Sequence, residues 1–353
     1  FHSSTEPDLK WVERWMKPEV AMVEGPVFQH RRVVLSWLTV LSFTALPGCT
    51  QQSSRILAAA AHRGDVRHGE YLTTVFCCRE CHTVRQADGV HLDSTLLFTG
   101  GVPFGGTWGL VHAANVTIAS QYPAQVIEGI VRGRLAFKFQ MPTDLYNGMA
   151  ADDMQDIIAY LKTLRPIRRP LPDNHLGAGF VLPAPNPPVP IPEHAPKPGT
   201  LERSRYLARV FVCQDCHSPR APGGGYDQEH FFGGGGFTWR FADGRLLIPP
   251  NLTPDRETGL GAWSDTEIIR AIRTGVARDG HQLDPGMPYL VAFHDMTDQD
   301  AADIVRFLRS LRPVQNSWPN NPRYSASDLP VDCCFAPPPN PAWVRTTTSE
   351  GNR

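Results

Sequence analysis

The chain alternates between short stretches with helical spacing of apolar positions and long segments dominated by glycine or proline. Residues 65–77 place Val66, Tyr71, Leu72, Val75 and Phe76 at candidate inward positions, which predicts an amphipathic helix. Residues 123–131 predict a short helix. Residues 150–164 predict a longer one, with Ile157, Leu161 and Leu164 at i, i+4 and i+7 on one stripe. Its start carries Asp152, Asp153 and Asp156, where carboxylates complement the helix dipole.

The pattern then recurs. A helix is predicted near residues 201–212, with Tyr206 where the earlier one has Tyr71. Ser264-Asp265-Thr266-Glu267 is a capping-box sequence ahead of Ile268, Ile269 and Ile272. Thr297-Asp298-Gln299-Asp300 is another cap signal and opens the last helix. The two closing helices are spelled alike, Ile157-Ile158-Ala159-Tyr160-Leu161 and Ile304-Val305-Arg306-Phe307-Leu308, and both stop at Arg-Pro (Arg165-Pro166 and Arg312-Pro313). Asn251-Leu252-Thr253 answers Asn115-Val116-Thr117. Repetition on this scale predicts two tandem all-α domains, 62–166 and 200–314. They are joined by a proline-rich linker over 167–199, preceded by an extension over 1–61 and followed by a proline-rich tail over 315–353.

Composition sharpens this reading. The 33 prolines are about twice the usual share, and they mark the linker and the tail. Polyproline II is expected for the linker, either as a semi-rigid spacer or laid along the first domain. The net charge of -1 suggests no nucleic-acid partner. Glycine pairs at Gly100-Gly101 and Gly105-Gly106, and the runs 223–225 and 233–236, let backbone come close to a flat ligand or simply make turns.

Four of the eight cysteines lie in two Cys-x-x-Cys-His runs, Cys78-Arg79-Glu80-Cys81-His82 and Cys213-Gln214-Asp215-Cys216-His217. That spacing reads as covalent haem attachment. On a helical turn, residues three and four apart share a face, so both thiols reach the two vinyl groups on one porphyrin edge. The histidine that follows becomes the proximal iron ligand. Methionine-proline pairs follow each run, Met141-Pro142 and Met287-Pro288. Histidine opposite methionine is the ligand set of c-type electron carriers, and the proline stiffens the loop that holds the thioether. The expected cofactors are therefore two covalently bound c-type haems, on Cys78, Cys81, Cys213 and Cys216, with His82, Met141, His217 and Met287 on the irons. His281 and His294 bracket Met287 and are rival ligands; Met149, Met154 and Met296 lie at or beside helix starts and suit ligation less well. Cys77 is out of register for attachment. Cys333 and Cys334 are neighbours that can be oxidised in an exported protein.

Near the start, His30-Arg31-Arg32 precedes an apolar run over 33–46, which ends at Leu46-Pro47-Gly48-Cys49. A basic cluster, a short apolar core and a small-residue site form the layout of a secretory signal. The run is short for a bilayer span, which needs about 20 residues. Cleavage with lipidation at Cys49, cleavage after the alanines at 58–61, and a short anchor left in place are the open readings. All three predict export, to a bacterial periplasm; lipidation or a retained anchor also predicts membrane association.

Both repeats resemble class I c-type cytochrome domains. Asn251-Leu252-Thr253-Pro254-Asp255, Thr258-Gly259-Leu260-Gly261-Ala262-Trp263-Ser264-Asp265 and Met287-Pro288-Tyr289 are similar to the cytochrome subunits of bacterial membrane-associated dehydrogenases for alcohols, aldehydes and sugar acids. The first repeat lacks the Thr-Gly-x-Gly-x-Trp stretch. The resemblance implies helices wrapped round each haem and an electron-transfer role, not an enzyme. Electrons would pass from a dehydrogenase subunit toward a downstream oxidase or cytochrome of the respiratory chain. The alternative is a dihaem peroxidase or thiosulfate-oxidising cytochrome, which needs an open or unusual position on one iron.

Overall fold

A computed structural model describes residues 63–106, 109–135, 141–177, 184–221, 225–236, 239–240 and 246–316. The signal-like extension over 1–61, Cys49, His62, Cys333, Cys334 and nearly all of the tail lie outside them. The described residues belong to one compact unit.

The first repeat opens with α1 (Val66–Val75), whose first turn is capped by the Asp65 carboxylate accepting from the Arg67 and His68 amides. It runs into α2 (Cys78–Cys81). Later come α3 (Ala124–Val131), the single turn α4 (Thr143–Tyr146) and the closing helix α5 (Ala151–Leu161). The second repeat follows the same order. It has α6 (Leu201–Val210) capped by Thr200, α7 (Cys213–His217), α8 (Asp265–Thr274), a π-helical turn (Tyr289–Phe293) and α9 (Asp298–Ser310) capped by Thr297. The Ser264–Glu267 capping box forms as the sequence predicts, with both reciprocal bonds present.

In each half the opening and closing helices pack together, α1 on α5 and α6 on α9. Leu72, Val75 and Phe76 are buried as expected, but Val66 is 41% exposed. The face turned to α5 carries Gly69 instead: a Cβ there would stand 1.9 Å from the Asp156 carbonyl oxygen. The counterpart in the second half, Ser204, is fully buried, with its hydroxyl donating to the Thr200 carbonyl at 3.0 Å.

Met287 to Met296 holds one residue more than Met141 to Met149. The extra residue is absorbed as the π turn where the first half has an α-turn.

The fold is mostly helical but not wholly so. β1 (Pro103–Gly106) and β2 (Gly109–His112) form an antiparallel hairpin, and β3 (His175–Leu176) pairs with β2. Gly109, at φ 126°, lies so close to β3 that a Cβ would meet the His175 carbonyl oxygen at 2.2 Å. A second small sheet joins β4 (Trp239–Arg240) to β5 (Leu246–Leu247). Glycine-rich loops with unpaired backbone have been used for strand pairing, which the helical periodicity alone did not reveal.

The proline-rich segment runs along the first half. Besides adding β3, it places Pro192 and Glu193 carbonyls on the first amides of α5, at 2.9 and 3.1 Å. Asn186 donates its amide to the Gly133 carbonyl and its side chain to Arg132 O and Thr143 Oγ1.

The two halves share one apolar cluster, with Leu72, Phe76, Ile157 and Met154 from the first and Leu207, Phe211, Ile304 and Phe307 from the second. The Phe76 and Phe211 rings meet at 5.5 Å. Contacts cross reciprocally: α4 touches α6, and the π turn touches α1 and α2.

Candidate functional site

Each attachment motif is entered through a residue in the left-handed region, Cys77 at φ 62° and Val212 at φ 63°. Phe98 at φ 60° and Phe232 at φ 61° are the other non-glycine residues of this kind among the described residues. They fall into two matched pairs. Such conformations carry a steric cost and persist only where the surroundings hold them. Here each Phe amide donates to the hydroxyl beside the motif histidine, Phe98 N to Thr83 Oγ1 and Phe232 N to Ser218 Oγ, both at 3.0 Å. Each ring packs edge-on to the aromatic of the closing helix, Phe98 on Tyr160 and Phe232 on Phe307.

The motif histidines are buried, and they are held alike. His82 Nδ1 lies 2.8 Å from the Ala114 carbonyl oxygen, and His217 Nδ1 lies 2.8 Å from that of Pro250. A carbonyl only accepts, so Nδ1 must carry the proton. The lone pair is then on Nε2, the tautomer a metal-ligating histidine needs. Burial lowers the proton affinity of both rings, against the opposing effect of the carbonyl, and takes His217 down to about 4. Both imidazoles therefore stay neutral and able to donate electrons.

Those carbonyls sit immediately before the Asn-x-Thr segments seen in the sequence. Asn115 Oδ1 accepts from the Thr117 amide and hydroxyl while Nδ2 donates to Ile167 O. Asn251 does the same with Thr253 and Val314 O. The asparagine thus ties the histidine's acceptor to the segment leaving the closing helix.

Cys78, Cys81, Cys213 and Cys216 are unpaired and partly buried on their helical turns. Burial pushes the Cys78 and Cys213 thiols up to about 12 and raises Cys81 and Cys216 also. Between the cysteines lies a buried acid that sequence reasoning missed. Glu80 bonds Arg85 at 2.7 Å, while Asp215 bonds Arg220 and takes the Tyr226 hydroxyl at 2.5 Å. Burial raises both carboxyls, and the neighbouring arginine opposes the shift. The signal was present as an acid before the second cysteine and an arginine three residues after the histidine in both repeats.

The profile of the cytochrome c family matches residues 208–312. Those residues form a cytochrome c domain. Such a domain implies covalently bound haem c, and the donor set described above fits it: two thiols on one turn, and a neutral imidazole fixed by its far nitrogen.

The chain is also similar to cytochrome subunits of dehydrogenases. It is 25% identical to the fructose dehydrogenase cytochrome subunit of Gluconobacter japonicus over 78% of this chain and 58% of the relative. It is 27% identical to the alcohol dehydrogenase (quinone) cytochrome c subunit of Gluconacetobacter polyoxogenes over 72% of this chain and 58% of that protein. A gluconate 2-dehydrogenase cytochrome c subunit of Pantoea cypripedii is 31% identical over 35% of this chain and 28% of its own length. The chain thus spans 58% of the length of the first two of these relatives.

In the cytochrome c domain, Met287 borders the same apolar cluster as Val212 and Cys213. The turn through the following proline is closed by Tyr289 N donating to Met287 O at 2.7 Å, and Thr143 N donates to Met141 O at 2.6 Å in the first half. Met141 is half-buried. The rival ligands are engaged at the surface, His281 with Asp279 and His294 with Asp295. Met149, Met154 and Met296 are buried core residues. The Gly-x-Gly stretch is a close backbone approach: a Cβ on Gly259 or Gly261 would meet the Thr253 or Pro254 carbonyl at 2.2 and 2.3 Å. Arg309 clamps this loop through the Leu260 and Trp263 carbonyls.

Proposed function

We propose that the chain is a dihaem electron-transfer protein, organised as cytochrome c domains over 62–166 and 200–314 with a linker between them. Cys78 and Cys81 hold one haem by thioethers, and Cys213 and Cys216 hold the other. His82 with Met141, and His217 with Met287, would bind the two irons. Bound haem iron takes up and releases one electron by cycling between its ferric and ferrous states.

The protein's contribution follows from its own side chains. The Ala114 and Pro250 carbonyls hold each imidazole in the ligating tautomer. Methionine, a neutral soft donor, favours the reduced state and raises the potential. The apolar cluster adds to this by disfavouring the extra charge of the ferric state. If a histidine and a methionine both bind each iron, no position would be left for a substrate, and the chain would pass electrons rather than catalyse a reaction.

The observation that supports this best is the matched pair of histidine-to-carbonyl bonds, each in a half that also has a left-handed residue opening its motif and a Met-Pro turn. Its similarity to dehydrogenase cytochrome subunits supports a dehydrogenase as electron donor, with a downstream oxidase or cytochrome as acceptor. We place the chain in the bacterial periplasm, attached to the membrane near its N-terminus. Among the described residues no helix is long and apolar enough to cross a membrane. A redox titration of the purified protein tests the reading: two one-electron waves, both at moderately high potential, are expected. Rapid carbon monoxide binding to the reduced protein would point instead to an open iron and a reactive centre.

A further inference from the structure

The two halves are joined by a reciprocal pair of partly buried latches. Tyr71, on α1, donates to Asp300 Oδ2 at 2.5 Å and accepts from the Thr297 amide at 3.3 Å. Tyr206, on α6, donates to Asp153 Oδ2 at 2.5 Å and accepts from the Ala150 amide at 3.2 Å. Each tyrosine therefore sits at the N-terminus of the other half's closing helix, between its cap residue and the acid three positions on. Burial raises both phenols, so they stay protonated donors.

The latches are asymmetric in their support. Arg203 binds Asp300 Oδ1 at 3.1 Å and lies over the Tyr206 ring. The matching position in the first half is His68, which bonds Asp156 at 2.6 Å. His68, Asp153 and Asp156 offer donor atoms within 4.8 Å of one another, but the bonds just given already engage them.

Each latch tyrosine stands seven residues before the first cysteine of its motif, on the helix that leads into the attachment turn through a left-handed residue. At the far ends of those helices the Phe76 and Phe211 rings touch. Each of those rings lies two residues before the first cysteine of its motif, and the π turn of the second half packs on α2, the first attachment turn. The two attachment turns thus start beside one another, and the latches fix α1 and α6, the helices that lead into them.

We propose that Tyr71 and Tyr206 are positioning residues for electron exchange between the halves: their bonds to Asp300 and Asp153 hold the two attachment motifs at the separation one electron must cross. This rests on the two-haem reading above. In the step, one ferrous centre becomes ferric and the other ferric centre becomes ferrous; no bond forms or breaks and no proton moves.

The test uses the full chain carrying both haems, reduced by one electron, with exchange between the centres read by line broadening in nuclear magnetic resonance. Y71F/Y206F is expected to slow exchange by about tenfold or more, as small misplacements of reacting groups do. The two potentials and the sulfur-to-iron absorption band should be unchanged. Each single variant, which keeps one latch and guards against a double variant that fails to fold, is expected to give part of the slowing. Asp153→Asn keeps an acceptor oxygen for Tyr206 and is expected to retain most of the rate. Two haems with an unchanged rate in Y71F/Y206F, and in both single variants, would overturn the proposal alone. A chain found to hold fewer than two haems would overturn the functional reading and this inference with it.

Discussion

Gly69 is where the packing of the first half is least forgiving. A methyl added there would lie 1.9 Å from the Asp156 carbonyl oxygen, 2.5 Å from its carbon and 2.9 Å from the Tyr160 Cβ. Ordinary contact begins near 3.4 Å, so α1 and α5 would have to separate by about 1.5 Å. The obstacle is helix backbone, which cannot rotate aside. Overpacking of a well-filled core costs about 1–3 kcal/mol, and Gly69→Ala belongs at the upper end. The helix propensity gained from alanine, roughly 0.5–1 kcal/mol, offsets only part of this. For a unit of this size, a net loss of 2 kcal/mol lowers Tm by roughly 4–8 °C. The same shift moves α1 against Asp156 and Tyr160, so the first motif should also lose its sulfur-to-iron absorption band more readily on heating. The reverse change at the matched position, Ser204→Gly, relieves no clash and should cost less than about 1 kcal/mol. Thermal unfolding of the haem-loaded protein, followed at that band and by circular dichroism, measures both. A Gly69→Ala protein as stable as the unsubstituted chain would refute the packing argument.

Other consequences follow from particular side chains. Arg132, fully buried, donates to Glu128 Oε1 and to the Asn147 and Met149 carbonyls at 2.7–2.9 Å. Arg132→Met leaves two buried carbonyls without this donor, each costing about 1–3 kcal/mol; urea unfolding should show the loss. Asn186→Ala removes two side-chain bonds between the proline-rich segment and the first half, worth about 1 kcal/mol each, and should speed proteolytic cleavage within 167–199. Burial, the largest influence, raises the Asp153 carboxyl above its ordinary 3.8, against the opposing Tyr206 bond and the charges of Arg203 and His68. A carboxyl raised by folding holds its proton better in the folded state, so stability falls as pH climbs from the unfolded value through the folded one. Asp153→Asn should flatten that slope in urea midpoints taken upward from pH 4, and an identical slope in both proteins would count against it.

The sequence disclosed what is local. Attachment motifs, caps and Met-Pro turns are each written within a few residues, and the repeat made the Cys-x-x-Cys-His runs and Met-Pro pairs appear twice. The Asn-x-Thr pairing was visible, but its use was not, because the Ala114 and Pro250 carbonyls meet their histidines more than thirty residues away. Asp153 and Asp156 looked like dipole-complementing acids at a helix start; both are buried, and one serves the other half of the molecule. Val66 fitted the apolar stripe yet faces outward, since close approach of α1 to α5 selects Gly69, which hydrophobic periodicity does not register. The small sheets escaped for a similar reason: glycine-rich segments carry little side-chain pattern, and β3 comes from a proline-rich stretch that composition marks only as extended. The shared core was hidden because the positions that build it, Phe76 and Phe211 above all, are inward-facing in either arrangement.

The account stands most directly on how much haem is bonded to the chain and where. Intact mass of the denatured protein gives that number free of any non-covalent binding. Two haems per chain are predicted, falling to one in Cys78→Ala/Cys81→Ala and to one in Cys213→Ala/Cys216→Ala. A single haem in the unsubstituted protein, or two that survive loss of either cysteine pair, would contradict it.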